Sequence, residues 1–147
     1  MTLPTGTISM SQVAAELGIS QIGLNLNHGW VRALAGQNSG PVNMSNLQGQ
    51  TGTGLFSGNA TTGPVYAFDF SISWFRGTTQ SISYSGVPGD PTVLKFQNAP
   101  NWSSNILVKN LSAGLSATFT KQDSLTWVLS GGILRSGSTD NFSMQPA

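Results

Sequence analysis

The chain of 147 residues is 38% hydrophobic and only 7% charged, whereas about a quarter of the residues in an average soluble domain are charged. The net charge is +1 and no two of the six basic residues are adjacent, so no basic stripe is present for nucleic-acid phosphates or an anionic membrane surface. Cysteine is absent, which excludes disulfides and thiolate metal sites and is typical of proteins made in a reducing cytosol. We therefore expect no cofactor and neither a nucleic acid nor a membrane as partner. The few charges instead favour a surface that is covered in an assembly, as in a homo-oligomer.

A four-residue pattern recurs three times in the first fifty residues: an apolar residue, a small polar residue, a second apolar residue, then Ser or Asn. The copies are Ile8-Ser9-Met10-Ser11, Leu24-Asn25-Leu26-Asn27 and Val42-Asn43-Met44-Ser45. Each copy precedes a few helix-compatible residues and then a glycine, which is typical of an N-cap, a short helix and a glycine stop. The pattern predicts three short helices, at residues 12–17, 28–35 and 46–48, with caps at Ser11, Asn27 and Ser45.

The predicted helices are shorter than helices that are stable alone in water. A segment of this size usually needs a metal, a disulfide or a partner, and the sequence offers neither of the first two. We therefore interpret residues 1–50 as a module that docks onto a partner. The predicted docking residues are Met10, Val13, Leu17, Trp30, Arg32, Leu34, Met44 and Leu47.

Two residues of this module have specific interpretations. Arg32 lies near the C-terminal end of the second helix, where a cation binds free carbonyl groups; alternatively, it anchors a partner beside Trp30. His28, the only histidine, is expected to be an exposed residue of the first helical turn and not a catalytic base.

Residues 51–63 are rich in Gly, Thr and Ser and predict a linker. Beyond it the hydrophobic periodicity changes to two, which indicates β-strands. The first strand presents an aromatic face of Tyr66, Phe68, Phe70, Ile72 and Trp74. Further strands are predicted near residues 82–84, 94–96, 106–108, 115–119 and 125–129, and a last one either at 133–135 or through Phe142.

Six or seven strands at intervals of about ten residues, without helices, indicate that residues 64–147 form an antiparallel β-sandwich. An immunoglobulin-like topology fits the strand count, although the cysteine pair is missing; a jelly roll or a small barrel fits it as well. The predicted fold class is therefore mainly β, with an N-terminal module of short helices and extended segments. The inward aromatics suffice for a core, since burying one large apolar side chain contributes roughly 1.5–3 kcal/mol.

No motif indicates catalysis. The five acidic residues stand singly, and the many serines include no nucleophile elbow, so we expect no enzymatic activity. Two aromatic residues are candidates for an exposed contact surface. Phe75 is out of phase with the inward set after Trp74, so we expect it to face outward. Trp102 lies in the predicted loop 98–105, where it either plugs the end of the sandwich or stacks on a sugar or a protein.

The first third of the chain also resembles a known module. The residues that carry the resemblance are Ile8-Ser9-Met10-Ser11-Gln12-Val13 with Glu16-Leu17-Gly18, Val31-Arg32-Ala33-Leu34-Ala35-Gly36, and Ser39-Gly40-Pro41-Val42-Asn43-Met44-Ser45-Asn46-Leu47-Gln48-Gly49. They are similar to a short module in structural proteins of tailed bacteriophages, often near the start of tail-associated or fibre proteins and followed by variable β-rich domains. His28-Gly29 departs from it, because the module more often has an acidic residue and a small helix former there.

The resemblance implies a non-enzymatic virion structural protein that is synthesised in the host cytoplasm. We expect a tail or neck component whose N-terminal module docks onto other virion proteins or sister copies. A capsid decoration protein is the alternative. A third hypothesis, from a different class, is a carbohydrate- or receptor-binding module with Phe75 and Trp102 as its exposed platform.

Overall fold

The computed structural model describes residues 2–60, 65–135 and 137–147. Within these residues the chain forms two short α-helices, one 3-10 helix and nine β-strands, so the predicted mainly β class is confirmed. The elements are α1 (Met10–Leu17), α2 (Gly29–Ala35), the 3-10 helix (Met44–Leu47), β1 (Gly54–Asn59), β2 (Tyr66–Asp69), β3 (Ser73–Trp74), β4 (Gly77–Tyr84), β5 (Pro91–Asn98), β6 (Ile106–Asn110), β7 (Leu115–Asp123), β8 (Thr126–Ser130) and β9 (Thr139–Pro146). No helix in the described ranges has the length and apolar character that a membrane span requires.

The strands form one antiparallel sheet that nearly closes on itself. Their order is β1-β9-β6-β7-β8-β5-β4-β2, and β3 pairs with β4. β7 connects the two halves of the sheet, because its first residues pair with β6 and its last residues pair with β8. The two ends of the order meet, since a Cβ atom on Gly58 of β1 would overlap the ring of Phe68 on β2.

Aromatic side chains fill the space that this sheet encloses. The ring of Phe56 on β1 stacks on Phe70, with 3.9 Å between ring centroids, and on Phe142 of β9, with 5.0 Å between centroids. Trp74 and Trp127 are completely buried. Of the predicted aromatic face, Phe70 and Trp74 lie in the core, whereas Tyr66, Phe68 and Ile72 are half-buried and pack against it.

The predicted first strand is divided into β2 and β3. Phe70 and Ile72 lie between them, and the buried Thr79 of β4 binds both: its hydroxyl donates to the Phe70 carbonyl at 3.0 Å and accepts from the Ile72 N–H at 2.9 Å. The β4–β5 register shifts on both sides of Thr79. The Thr79 hydroxyl thus replaces backbone hydrogen bonds of the strand ladder where the sheet is irregular. The alternation of apolar and polar residues in the sequence does not predict this irregularity.

The prediction of a linker over residues 51–63 is wrong for residues 54–59, which form β1 and pair with β9 from Gly54 to Asn59. The glycines that suggested flexibility are instead places of close approach. A Cβ atom on Gly54 would lie 2.6 Å from Ile72 Cδ1. Residues 61–63 of the predicted linker lie outside the described residues.

The helix caps differ from the predicted ones. In two of the three tetrads the cap is the second residue and not the fourth, namely Ser9 and Asn43, whereas the cap of α2 is His28, which follows its tetrad. The Ser9 hydroxyl accepts from the Gln12 N–H at 3.3 Å, and the Gln12 side chain accepts from the Ser9 N–H at 2.8 Å, which is a reciprocal capping box. Asn43 precedes the 3-10 helix, and its N–H donates to Asn46 Oδ1 at 2.9 Å. His28 is not an exposed first-turn residue: it is the half-buried N-cap of α2, where its Nδ1 accepts from the Trp30 N–H at 3.1 Å. The glycine stops at Gly18 and Gly36 are confirmed, with φ of 71° and 72°.

A buried carboxylate fastens α1 to the start of β1. Glu16 is almost completely buried, and its Oε1 accepts from the backbone N–H of Gly52 at 2.8 Å and of Thr53 at 2.9 Å. The Thr53 hydroxyl returns a hydrogen bond to the Glu16 carbonyl at 2.5 Å. Because a buried carboxylate needs donors of this kind, the contact specifies how α1 sits on the sheet.

The tight turn between β3 and β4 fastens α2 and the 3-10 helix. Its two central residues, Phe75 and Arg76, both have positive φ, at 43° and 67°. Positive φ costs a side-chain-bearing residue free energy, so other contacts must offset the strain. Arg76 supplies them, because its Nε donates to the Leu34 carbonyl at 3.1 Å and its Nη2 donates to the Asn46 carbonyl at 2.7 Å.

Candidate docking surface

The predicted docking residues fall into two groups. Four of them are completely buried among the core residues of their own chain: Val13, Leu17, Leu34 and Leu47. The prediction that these four contact a partner is wrong, because the sheet and helices of the same chain already cover them. The short helices pack into the same core cluster as the sheet of their own chain.

The other four, Met10, Trp30, Arg32 and Met44, are half-buried and keep accessible surface. Docking through them stays a prediction. Arg32 contacts neighbouring segments and not the carbonyl groups of the helix end: its Nε donates to Asn27 Oδ1 at 2.8 Å and its Nη1 donates to the Gln37 carbonyl at 3.1 Å. Arg32 thus ties together the segments that precede and follow α2.

The predicted exposed platform of Phe75 and Trp102 is absent. Phe75 is completely buried, because its positive φ turns the side chain back against Trp74. Trp102 is 6% exposed, and its indole N–H donates to the Asn105 carbonyl at 2.8 Å. Its ring contacts Phe75 with 4.8 Å between centroids, so Trp102 plugs one end of the enclosed core, as its first interpretation predicted.

Trp30 is the tryptophan that keeps an accessible side. Its ring meets Trp102 edge to face, with 5.3 Å between centroids and 79° between planes. Trp74, Trp102 and Trp127 donate their indole N–H groups to backbone carbonyls. In the described part of the chain the Trp30 indole N–H has no acceptor, and no buried side-chain nitrogen there lacks a partner. The Trp30 N–H therefore reaches solvent and can bind a ligand or a partner.

An exposed loop, which we call the Ile22 loop (residues 18–28), connects α1 to α2 beside this tryptophan. Ile22 at its tip is 94% exposed. Ile19, Ile22 and Leu24 of this loop line a shallow, mainly apolar groove of about 460 Å³ together with Trp30 of α2. Sequence reasoning missed Ile22. The available signal was an isoleucine in a Gly-bounded turn, outside any helical or strand periodicity.

The ion pair that the described residues contain lies away from this surface. Arg135 donates to the buried Asp140 through Nε at 3.0 Å and Nη2 at 2.5 Å, and Asn110 donates to the same carboxylate at 2.8 Å. The Arg135 hydrogen bond is the largest cause that lowers the pKa of Asp140; burial opposes it and the Asn110 bond adds to it. This network stabilises the sheet around β9.

The surface around Trp30 and Ile22 therefore offers apolar area and one free N–H donor. Within residues 2–60, 65–135 and 137–147, no cluster of three or more His, Cys, Asp or Glu side chains is placed to hold a metal ion. The chemistry that this arrangement supports is contact with another molecule. No family model, no curated protein and no solved structure matches this chain.

Proposed function

We propose that this chain is a non-enzymatic structural protein of a bacteriophage particle, where it serves as a tail or neck component and docks through the Ile22 loop. The observation that carries the proposal is Ile22, a large aliphatic side chain held 94% exposed beside the accessible ring of Trp30. Fully burying such a side chain contributes roughly 1.5–3 kcal/mol, which a partner gains when it covers the loop. The low charge of the chain and the resemblance of its first third to a phage module support the same proposal, a structural role in a phage particle.

The fold is suitable for a subunit of a stable assembly. An antiparallel sheet that nearly closes on itself leaves few strand edges that pair with the wrong molecule. Within this proposal we describe the sheet as a β-sandwich whose two halves are joined by β7. Phe56 lies on β1 and Phe70 directly follows β2, so their stacking supports contact between the two ends of the sheet order. The immunoglobulin-like topology stays a prediction.

A capsid decoration protein is the alternative position within the particle, and it uses the same docking surface. The two positions differ in where the chain is found. A gold label on the C-terminal residue, imaged by electron microscopy of purified particles, should lie at the neck or tail. Labels distributed over the capsid shell would contradict the tail or neck assignment and support decoration.

The docking proposal is tested by Ile22→Ser in a phage that carries this variant as its sole copy of the chain. We expect particles to incorporate the variant at least about tenfold less than the original chain, because the lost apolar contact is of the order of 1.4 kcal/mol or more. The readout is the amount of the chain per purified particle, measured by quantitative mass spectrometry.

The matched control is Val87→Ser, which removes an apolar side chain that is 54% exposed in the turn between β4 and β5. We expect this variant to be incorporated normally. Both purified variants should unfold at the same urea concentration as the original chain, since neither side chain belongs to the core. Normal incorporation of Ile22→Ser would overturn docking through this loop.

A further inference from the structure

A second groove lies between α2 and the loop that precedes β6, and it shares Trp30 with the first groove. Its volume is about 470 Å³, which lies in the size range of small-molecule sites. We call it the Trp30–Lys121 groove. The lining residues that matter here are Trp30, Asn38, Asn101, Ser103, Ser104 and Lys121.

Two asparagine side chains in this groove hold each other in place. Asn38 Nδ2 donates to Asn101 Oδ1 at 3.1 Å, and Asn101 Nδ2 donates to Asn38 Oδ1 at 3.1 Å. Asn101 Nδ2 also donates to the Ala33 carbonyl at 2.8 Å, which fastens the pair to α2. A primary amide has two N–H donors and an oxygen with two lone pairs. Asn38 therefore keeps one donor, and each amide oxygen keeps one acceptor position.

Lys121 supplies the positive charge that lines this groove. Its Nζ donates to the Trp102 carbonyl at 3.4 Å and lies 5.4 Å from the centre of the Trp127 ring. These contacts hold the ammonium group while leaving two of its three donors free. No carboxylate is among the residues that line the groove. The local charge therefore favours a ligand that carries an anionic group.

The groove thus combines an accessible indole ring, a fixed pair of amides, two serine hydroxyls and one cation. A sugar ring matches this set, because it has an apolar C–H face that packs on an aromatic ring and hydroxyls that both donate and accept. We propose that the Trp30–Lys121 groove binds an acidic saccharide, with the sugar face on Trp30, hydroxyls on the asparagine pair and the carboxylate at Lys121. This site shares Trp30 with the docking surface but does not use Ile22, and its asparagine pair and Lys121 take no part in the docking proposal, so it goes beyond that proposal.

The test is a titration of the 15N-labelled full chain, followed by two-dimensional NMR, with methyl β-glucuronide and with the neutral methyl β-glucoside. We expect the indole N–H signal of Trp30 and the side-chain amide signals of Asn38 and Asn101 to shift. Because a charge-assisted hydrogen bond is about twice as strong as a neutral one, we expect the glucuronide to bind roughly tenfold more tightly.

Two variants separate the roles of these residues. Asn38→Ala should weaken binding of both sugars, and Lys121→Gln should remove the preference for the glucuronide while leaving the glucoside affinity unchanged. Lys109→Gln on β6 is the matched control and should bind like the original chain. The fingerprint of unaffected backbone signals shows that each variant is folded.

Three results would overturn this assignment. Signals of Trp30 and Asn101 that stay fixed at tens of millimolar sugar would exclude the saccharide site. Equal affinity for the two sugars would exclude the role of Lys121. Shifts of the same signals by a short extended peptide such as trialanine, but by neither sugar, would identify a peptide groove instead. Loss of sugar binding in Asn38→Ala with normal particle incorporation would separate this site from the docking loop.

Discussion

Residues 2–50 and the strands that follow them are held together in different ways. The strands have their own ladders and a stacked aromatic core, with Phe56 lying between Phe70 and Phe142. The N-terminal segment has helices of eight and seven residues and buries Leu17 and Leu34 in a core cluster that it shares with the strands. A segment whose sequence suggests docking onto a partner can therefore pack against its own chain instead.

In most of the hydrogen bonds between the two regions, a side chain binds a backbone group. Glu16 accepts two N–H groups at the start of β1, Arg76 donates to two carbonyls at helix ends, and Asn101 donates to the Ala33 carbonyl. Short helices leave a large share of their N–H and C=O groups unpaired. The sheet therefore stabilises the N-terminal segment by satisfying the groups that the segment cannot satisfy itself.

The largest expected effect comes from Leu34→Ala, which removes a completely buried side chain from α2. We expect it to lower the free energy of unfolding by about 2–5 kcal/mol, as for other large-to-small core substitutions. If the two regions form one cooperative unit, urea unfolding followed by fluorescence of the sheet tryptophans shifts by the same amount as unfolding followed by far-UV circular dichroism.

The exposed Ile22 gives the matched control, since Ile22→Ala in the same N-terminal segment should change the free energy of unfolding by at most about 0.5 kcal/mol. A Leu34→Ala protein whose tryptophan transition stays at the original urea concentration would show that the sheet folds without the segment. That result would restore the independent module that the sequence predicts.

An intermediate effect is expected at Arg76, where the strained turn meets the helix ends. Arg76→Ala loses both hydrogen bonds to the N-terminal segment and keeps the cost of positive φ, whereas Arg76→Gly loses the same bonds and relieves that cost. We expect the glycine variant to be more stable than the alanine variant by about 1 kcal/mol, measured by urea unfolding. Equal stability of the two variants would mean that the turn stores no strain.

The smallest effect concerns the sheet alone and its dependence on pH. The Arg135 hydrogen bond lowers the pKa of Asp140, so this carboxylate stabilises the fold above its unfolded pKa and loses that contribution as pH falls through the folded pKa. Arg135→Gln should be less stable than the original chain at neutral pH, with a difference that shrinks below about pH 4. We expect a small difference because Arg135 is 47% exposed.

Urea unfolding at pH 7, 4 and 3 measures this difference. The pKa of Asp123 is also lowered, mainly by the Leu125 N–H, but Asp123 is present in both proteins and its contribution cancels. A stability difference that is constant over this pH range would contradict the role assigned to the ion pair.

Local patterns in the sequence predicted most of the strands, the short helices and the glycine stops, because each depends on periodicity or on one backbone conformation. They did not predict β1, since Gly54 and Gly58 have the composition of a linker and reveal their close approach to Ile72 and Phe68 only in three dimensions. Phe75 was misplaced for a similar reason. Alternation assumes an extended backbone, and a positive φ at that residue reverses the direction of its side chain.

The candidate sites were harder to predict than the fold. A helical pattern predicts that Leu17 and Leu34 are covered. It does not identify whether the covering surface belongs to a partner or to the same chain. The pairing of Asn38 with Asn101 joins residues 63 positions apart, and neither residue belongs to a motif. The exposure of Ile22 depends on how its neighbours fold around it, and no local sequence pattern encodes that arrangement.

The pairing of β1 with β9 has a consequence for the order in which this chain can fold during synthesis. Gly54 lies opposite Met144, so β1 has no ladder partner until some ninety further residues have left the ribosome. α1 is fastened in turn, through Glu16, to Gly52 and Thr53, the two residues just before β1. The segment before β1 is thus made earlier than β9 but becomes stable only after it, and contacts of such long sequence separation slow folding. Until that point the apolar residues of α1 and α2 are accessible to chaperones, to proteases and to neighbouring copies of the unfinished chain.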